Sequence, residues 1–336
     1  MSTAKLRVGY VPEHFSAPLL MLANSPWGSK NMELVEQASG TGQMLTSLDR
    51  SQPGGQKIDV AVALTEGLIT GIAKGRTDYK LVGSYVRSSL TWAIITGTSP
   101  EAAKYQTVGD LRHAKVGVSR IGSGSHLMAS VLALQQGWVT SEGRVEDREF
   151  VVNNDFQTLR DGVNQKPGHE TGFFMWEWFT TKPFKDAGEV RYIGSLPTPW
   201  PSWTIAASTH TALDDMDRKD VLEEFLHELD ETIRAFANEE TRKDGSLEAH
   251  IEMVHHYRPE DIKAWASQVR WAGERTPDPE GVTPTDPQAQ KTNAFTLSGG
   301  MIRNTLATLE KAGVVSSPAQ PWDVTTFVDT DVARLV

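Results

Sequence analysis

The sequence predicts an α/β protein of two lobes, each built on a mixed, mostly parallel sheet with flanking helices. Three observations support this. The 336 residues suffice for two domains of roughly 100–200 residues each. Strand-like runs alternate with helix-like runs along most of the chain, which is typical of parallel α/β sheets. Two irregular connections, near Arg87–Leu90 and near Leu196–Trp203, interrupt this alternation and predict two crossings between the lobes.

The crossings assign residues 1–88 and 203–336 to a discontinuous lobe 1, and residues 89–202 to lobe 2. The predicted strands of lobe 1 are Leu6–Val11, Met32–Glu36, Ile58–Ala63, Leu81–Tyr85 and Thr204–Ala207. Those of lobe 2 are Leu90–Thr96, Lys115–Ser119, Glu149–Val152, Gly172–Trp176 and Arg191–Ser195. The nearly continuous apolar run Ile58–Ala63 is typical of a buried parallel strand. The last third is helical, because apolar residues recur there at helical spacing.

Composition excludes several function classes. The net charge of −10 argues against nucleic-acid binding, which needs clustered basic side chains. The absence of cysteine excludes disulfides, thiolate nucleophiles and cysteine metal sites. No apolar run approaches the roughly 18–20 residues of a membrane span. Met1–Lys5 leads directly into a strand without an apolar signal region, so we expect a cytoplasmic protein, or a periplasmic or secreted one if a leader has been removed.

A loop rich in glycine and serine, Ser119–His126, follows one predicted strand and precedes a helix. Glycines let the backbone approach a ligand, while serine hydroxyls and the first N–H groups of a helix can hold a polar or acidic group. We therefore predict ligand contacts from Ser119, Gly122, Ser123, Gly124, Ser125 and His126. The alternative is a plain strand-to-helix turn capped by serine. The loop fits neither a dinucleotide fingerprint nor a Walker loop.

Two further segments of lobe 1 have the same character. Gly40, Thr41 and Gly42 precede a helix whose first N–H groups can face a ligand, or they simply cap that helix. Thr65 and Glu66 end an apolar strand, and open α/β sheets bind ligands at the carboxyl ends of their strands. The alternative for Glu66 is that its charge only favours the start of its helix.

The remaining candidates are single residues near strand ends or crossings. His14 follows the first strand, where it would donate to an anion or stack, or else lie at the surface. Arg87 lies at the first crossing and would pair with a carboxylate or sulfonate, or form a salt bridge between lobes. The others are Asn153, Trp176, Glu177 and Trp203. Of these, the aromatic residues have core or hinge packing as their alternative.

The order of the segments resembles a known family. The matching segments are Lys5–Leu20, Gly40–Gly42, Ile58–Gly67, Asp110–Gly137, Gly172–Phe179 and Met301–Val315. Over nearly its full length the chain resembles type II periplasmic substrate-binding proteins, in the branch that binds sulfonates, taurine, nitrate and thiamine precursors. Fungal thiamine-pyrimidine synthases share this fold. The resemblance implies a venus-flytrap arrangement, with two lobes joined by two crossover segments and a ligand cleft between them.

The resemblance implies a binding protein that closes its lobes on a small polar or anionic ligand by hinge motion. A sulfonate or a thiamine-type pyrimidine is the implied ligand. The alternative is an enzyme of thiamine-pyrimidine precursor metabolism, whose family branch carries a cysteine-rich iron-binding motif that is not found here. We expect no catalytic residues, no metal and no cofactor. Family members usually carry a signal sequence or a lipid anchor, and we see neither at Met1–Lys5. We therefore do not expect a transporter partner.

Overall fold

The computed structural model describes residues 5–51, 56–255, 257–276 and 292–336. The chain forms two compact units. Unit 1 consists of Met1–Ser89, Pro199–Thr305 and Gln320–Val336, and unit 2 of Leu90–Thr198 and Leu306–Ala319. Residues 306–319, predicted in lobe 1, are thus grouped with unit 2 in the structure. Residues 89 and 199–202, predicted in lobe 2, are grouped with unit 1.

Strands and helices alternate over the first two-thirds of the chain, and helices dominate the last third. The strands are β1 (Leu6–Tyr10), β2 (Met32–Glu36), β3 (Val60–Leu64), β4 (Tyr79–Val86), β5 (Thr91–Gly97), β6 (Val116–Val118), β7 (Phe150–Val152), β8 (Phe173–Glu177), β9 (Val190–Pro197), β10 (Trp203–Ser208), β11 (Thr296–Leu297) and β12 (Arg334–Leu335). The helices are α1 (Ala17–Ala23), α2 (Pro26–Asn31), α3 (Thr41–Leu48), α4 (Thr65–Ala73), α5 (Gly124–Gln135), α6 (Phe156–Val163), α7 (Trp178–Asp186), α8 (Met216–Phe236), α9 (Glu239–Asp244), α10 (Ser246–His255), α11 (Pro259–Gln268) and α12 (Gly299–Lys311).

The main sheet of unit 1 has the strand order β2-β1-β3-β10-β4. β1 pairs in parallel with β2 and β3, whereas β10 is antiparallel to both β3 and β4. Strands β1 to β4 therefore all end at one edge of the sheet, where β10 begins. The continuous apolar sequence of β3 is buried, as expected for a central strand with both faces covered.

The sheet of unit 2 has the strand order β7-β6-β8-β5-β9. β6 pairs in parallel with β7 and β8, and β5 is antiparallel to β8 and β9. Strands β6 to β9 end at one edge, where β5 begins. Each five-stranded sheet thus has four parallel strands and one antiparallel strand, which confirms the predicted fold class of mixed, mostly parallel sheets with flanking helices.

The start of α5 shows how the sequence produces a local element. The Ser123 hydroxyl accepts a hydrogen bond from the His126 N–H, so it caps the first turn as a serine before a helix should. Gly122 has φ of +83°, in the left-handed region that favours glycine. Apolar residues on α5, including Leu127, Met128 and Leu132, are buried. The described part of the chain contains no helix with both the length and the apolar character of a membrane span.

Candidate functional site

Polar and aromatic side chains collect where the parallel strands of unit 1 end. We call this edge the unit 1 edge: the segments that follow β1, β2, β3 and β4, together with Trp200–Trp203 before and at the start of β10. Strand register places Trp203 opposite both Leu64 and Val86. The carboxyl ends of parallel strands are the usual ligand sites of open α/β sheets.

Gly40, Thr41 and Gly42 form the start of α3 at the unit 1 edge. Gly40 has φ of +74° and open space where a side chain would begin. The Thr41 hydroxyl oxygen accepts a hydrogen bond from the Leu64 N–H at 3.0 Å. This bond attaches the start of α3 to the end of β3, so the glycine-flanked turn is held in place by the strand that leads to Glu66.

Thr65 and Glu66 are completely buried at the start of α4. The Thr65 N–H donates to the Ser202 carbonyl at 3.0 Å. The Trp200 indole N–H donates to Glu66 Oε2 at 2.9 Å. Burial raises the pKa of Glu66 to about 7, although hydrogen bonds from its own backbone N–H and from Trp200 oppose that rise. A carboxyl group that changes charge near neutral pH therefore lies at the unit 1 edge.

His14 is completely buried, so the surface alternative considered for it is wrong. Its ring meets Trp265 edge-on, with 4.4 Å between ring centroids, and lies 5.6 Å from the ring of Tyr257. The neighbouring Phe15 ring also lies 5.0 Å from Trp265. Helix α11 supplies Trp265, and sequence spacing alone could not reveal that a distant helix covers the loop after β1.

A small, open pocket lies beside this aromatic cluster in unit 1. It is lined by Tyr10, Val11, Glu13, Phe15, Ser16, Leu19, Val62, Tyr85 and Trp203. Trp203 is the first residue of β10, with a buried side chain and its ring centroid 5.5 Å from that of Phe15. The pocket thus combines flat aromatic walls with a few polar groups, as small-molecule sites commonly do.

Arg87 directly follows β4, and its side chain is buried within unit 1. Its guanidinium donates to the backbone carbonyls of Trp271, Glu274 and Thr276. These bonds anchor the segment after α11 to the unit 1 edge. Arg87 is therefore held by backbone oxygens, and the pairing with a ligand carboxylate or sulfonate stays a prediction.

Unit 2 presents a second polar edge, which we call the unit 2 edge, where β6, β7 and β8 end. Ser119, Ser123 and Ser125 are buried there, and the Ser123 and Ser125 hydroxyls lie 2.9 Å apart. Gly122 N–H donates to His126 Nδ1 at 3.3 Å, and the His126 ring packs edge-on against Phe150. Gly124 is the first residue of α5. The loop is thus a helix start backed by buried hydroxyls.

Asn153 follows β7 and is completely buried. Its N–H donates to the Val118 carbonyl at 2.8 Å, which fixes it beside the start of the Ser119–His126 loop. Its Nδ2 donates to the His169 carbonyl at 3.2 Å, whereas Oδ1 has no hydrogen-bond partner among the described residues. The structure therefore brings Asn153 and Ser119 together at the unit 2 edge.

Trp176 and Glu177 occupy the last two positions of β8 and point to different surroundings. The Trp176 ring stacks on Phe156 with 5.0 Å between centroids and also packs against the core cluster of unit 2. Glu177 is buried and accepts the Thr180 N–H at 2.9 Å, so it caps α7. Trp176 thus makes the core-packing contacts that were its alternative, whereas Glu177 caps a helix.

Sequence reasoning missed several polar groups at these edges. Ser202 and Thr204 lie beside the start of α4, and Trp92 lies opposite Glu177 in unit 2. Their only sequence signal is a tryptophan or hydroxyl residue next to a crossing, and that signal does not distinguish them from hinge packing. Within the described ranges, no three His, Cys, Asp or Glu side chains lie together as a metal site would require.

Comparison with known proteins supports the resemblance. Residues 92–196, which all lie in unit 2, match a family model described as Ca3427-like PBP. The structure is similar to that of the Candida albicans CA3427 gene product, which exhibits the generic periplasmic binding protein fold. The TM-score is 0.77 and the identity 29%, over 97% of this chain and 96% of that one. No curated protein matches the chain.

Two solved structures at lower identity share the fold. The alkanesulfonate-binding protein SsuA from Xanthomonas axonopodis pv. citri, bound to MOPS, has a TM-score of 0.62 and 13% identity over the full length of both chains (100% each). The periplasmic nitrate-binding protein NrtA from Synechocystis PCC 6803 has a TM-score of 0.62 and 14% identity, over 99% of this chain and 86% of that one. The predicted resemblance to type II periplasmic binding proteins is confirmed.

Proposed function

We propose that this chain, which has the fold of the periplasmic binding proteins, is a binding protein for a small polar ligand. The main observation behind this proposal is that buried polar side chains are concentrated at the carboxyl edge of each five-stranded sheet. Thr41, Thr65 and Glu66 lie at the unit 1 edge, and Ser123 and Asn153 at the unit 2 edge. Such edges are where open α/β sheets bind ligands, and buried polar groups without a protein partner are suited to receive one.

Two ligand classes fit this proposal. A sulfonate or a similar anion would be held by the helix starts at Gly40–Gly42 and Gly122–His126, whose N–H groups favour negative charge. The relatives that bind an alkanesulfonate and nitrate support this class. A thiamine-type pyrimidine would stack on the aromatic side chains of Trp203 and Phe15, which line the small pocket of unit 1. Closure of the two lobes on the ligand, and a cytoplasmic location, stay predictions.

A ligand screen tests the proposal directly. We would measure thermal unfolding of the full chain with ethanesulfonate, taurine, nitrate and 4-amino-5-hydroxymethyl-2-methylpyrimidine, and then confirm each hit by calorimetry. A ligand that binds only the folded state raises the unfolding temperature in a concentration-dependent way. We expect at least one saturable hit. If no ligand in this panel shifts the transition or gives binding heat, the proposed ligand classes are wrong.

The Ser119–His126 loop offers a test with a matched control. We expect Gly122→Ala to weaken the confirmed ligand by roughly tenfold or more, a loss of about 1.4 kcal/mol. Gly122 and Gly143 both lie in unit 2 at positive φ, +83° and +77°, with nothing within 4 Å of an added Cβ. Both alanine substitutions therefore carry a similar backbone strain of about 1–2 kcal/mol. Only the methyl at Gly122 would occupy the space that we assign to the ligand.

Calorimetry compares the ligand affinities of the two variants with that of the wild type. Thermal unfolding checks that both variants lose similar stability. Equal weakening by Gly122→Ala and Gly143→Ala would mean that strain, rather than contact, is responsible. Unchanged affinity in Gly122→Ala would remove the loop from the proposed site.

A further inference from the structure

Glu66 is a buried carboxyl group with one oxygen bonded and the other free. Its side chain is completely buried, and Oε2 accepts the Trp200 indole N–H at 2.9 Å. Oε1 has no hydrogen-bond partner among the residues that the structure describes. A buried acceptor without a partner costs about 1–3 kcal/mol, and more when it is charged, so such atoms are rare unless something else binds them.

Other buried polar atoms without partners accompany Glu66 Oε1. They are Thr65 Oγ1, Ser202 Oγ, Trp203 Nε1 and Thr204 Oγ1, within the described part of the chain. Their backbones are close in the fold, because Thr65 N–H donates to the Ser202 carbonyl and β10 pairs with the end of β3. The three hydroxyls can each donate or accept a hydrogen bond, whereas Trp203 Nε1 can only donate and an ionised Glu66 Oε1 can only accept.

No basic side chain within residues 5–51, 56–255, 257–276 and 292–336 forms an ion pair with Glu66. The pKa of its carboxyl group is shifted by burial, by its own backbone N–H and by the Trp200 indole N–H. Buried carboxylates in this same unit are otherwise paired: Asp230 with Arg234 at 2.6 Å, and Glu274 with Arg242 at 2.5 Å. Glu66 differs from them, since its contacts are hydrogen bonds from neutral donors.

We propose that Glu66 Oε1 accepts a hydrogen bond from a nitrogen-bound hydrogen of the ligand, so that the ligand carries an amidinium or an amino group on an aromatic ring. This inference rests on the proposed binding function and narrows its ligand class. The N–H group supplies the donor that Oε1 lacks, and a positive charge delocalised over the ring supplies the missing counter-charge. Aromatic side chains at the same edge, Trp200 and Trp203, favour a flat ligand.

A sulfonate or a nitrate ion fits this position poorly. Their oxygens are acceptors and carry negative charge, so they offer an ionised Glu66 neither a hydrogen-bond donor nor a counter-charge. The inference therefore favours a nitrogen-bearing ring over the anion class at the unit 1 edge. It concerns the unit 1 edge alone.

A pair of isosteric probes tests the inference. 2-Aminopyridine has an amino group and a ring nitrogen arranged as in an amidine, whereas 2-methylpyridine has a methyl group in place of the amino group. We expect the wild-type chain to bind 2-aminopyridine roughly ten- to a hundredfold more tightly, as for a hydrogen bond to a charged group. Calorimetry gives both affinities, and Glu66→Gln should reduce the preference to about threefold or less, since its amide presents a donor to the ligand.

Asp230→Asn is the matched control, because Asp230 is equally buried in unit 1 but paired with Arg234. It should keep the wild-type preference between the two probes. Two results would overturn the inference and leave the proposed binding function intact. One is equal affinity of the wild-type chain for both probes, and the other is a preference for 2-aminopyridine in Glu66→Gln as large as in the wild type. Binding of ethanesulfonate or nitrate without binding of 2-aminopyridine would overturn it as well. If neither these probes nor the earlier panel bind, both the inference and the proposed function fail.

Discussion

Replacing Asp59 by alanine is expected to lower the free energy of unfolding by about 3–5 kcal/mol, because it leaves buried positive charge without its partner. Asp59 immediately precedes β3, and its side chain is 5% exposed. Its carboxylate accepts from Arg50 at 2.8 Å and from Arg218 at 2.5 Å. The Thr211 hydroxyl and the Arg7 N–H donate to it at 2.7 and 2.9 Å. One carboxylate thus joins four segments of unit 1.

Urea unfolding followed by circular dichroism measures the effect of this change. Asp214→Ala is the control, because the side chain of Asp214 is 69% exposed and lies 3.7 Å from His210. We expect that variant to stay within about 0.5 kcal/mol of the wild type, as for most surface substitutions. Asp59 lies at the amino end of β3, at the sheet edge opposite the candidate site, so ligand affinity of the folded variant should persist. A cost for Asp59→Ala no larger than that for Asp214→Ala would contradict the prediction.

The second large effect is on stability: Glu66 should make the free energy of unfolding depend on pH, and Glu66→Gln should remove that contribution. The pKa of Glu66 is raised from 4.5 to about 7, with burial as the largest cause. Between these two values the folded chain keeps a proton that the unfolded chain releases, so Glu66 lowers stability progressively as the pH rises. The contribution of the neutral Glu66 to stability is therefore fully present below pH 4.5 and is lost as the pH rises through about 7. Each pKa unit corresponds to about 1.4 kcal/mol, which gives roughly 3 kcal/mol in total.

The measured quantity is the difference in unfolding free energy between Glu66→Gln and the wild type, determined by urea titration at pH 4, 6 and 8. This difference should move in favour of the variant by roughly 3 kcal/mol from pH 4 to pH 8, because only the wild type has to bury an ionisable group. Glu228→Gln, which removes a carboxyl exposed on α8, should give a nearly constant difference. A constant difference for Glu66→Gln as well would show that Glu66 does not change its charge in this range.

Local sequence determined most of the secondary structure and the fold class. The apolar run Ile58–Ala63 could only be buried on both sides, and it forms most of β3 with a shift of one or two residues. The Ser119–His126 loop combines a left-handed glycine, a serine cap and an apolar helix face, so its strand-to-helix turn was predictable. These features depend on residues within about one turn of each other, and short-range spacing therefore specifies them.

Only the tertiary structure decided what surrounds each candidate. Glu66 acquires its hydrogen bond from Trp200, which is 134 residues away, and its raised pKa comes from burial by the rest of unit 1. His14 is buried under Trp265 of α11, and Trp176 stacks on Phe156 of α6. Burial, charge and partner choice depend on segments that the chain brings together only when it folds. Candidates such as Thr41 and Glu66 were therefore visible in the sequence, whereas neighbours such as Ser202 and the burial that makes Glu66 distinctive were not.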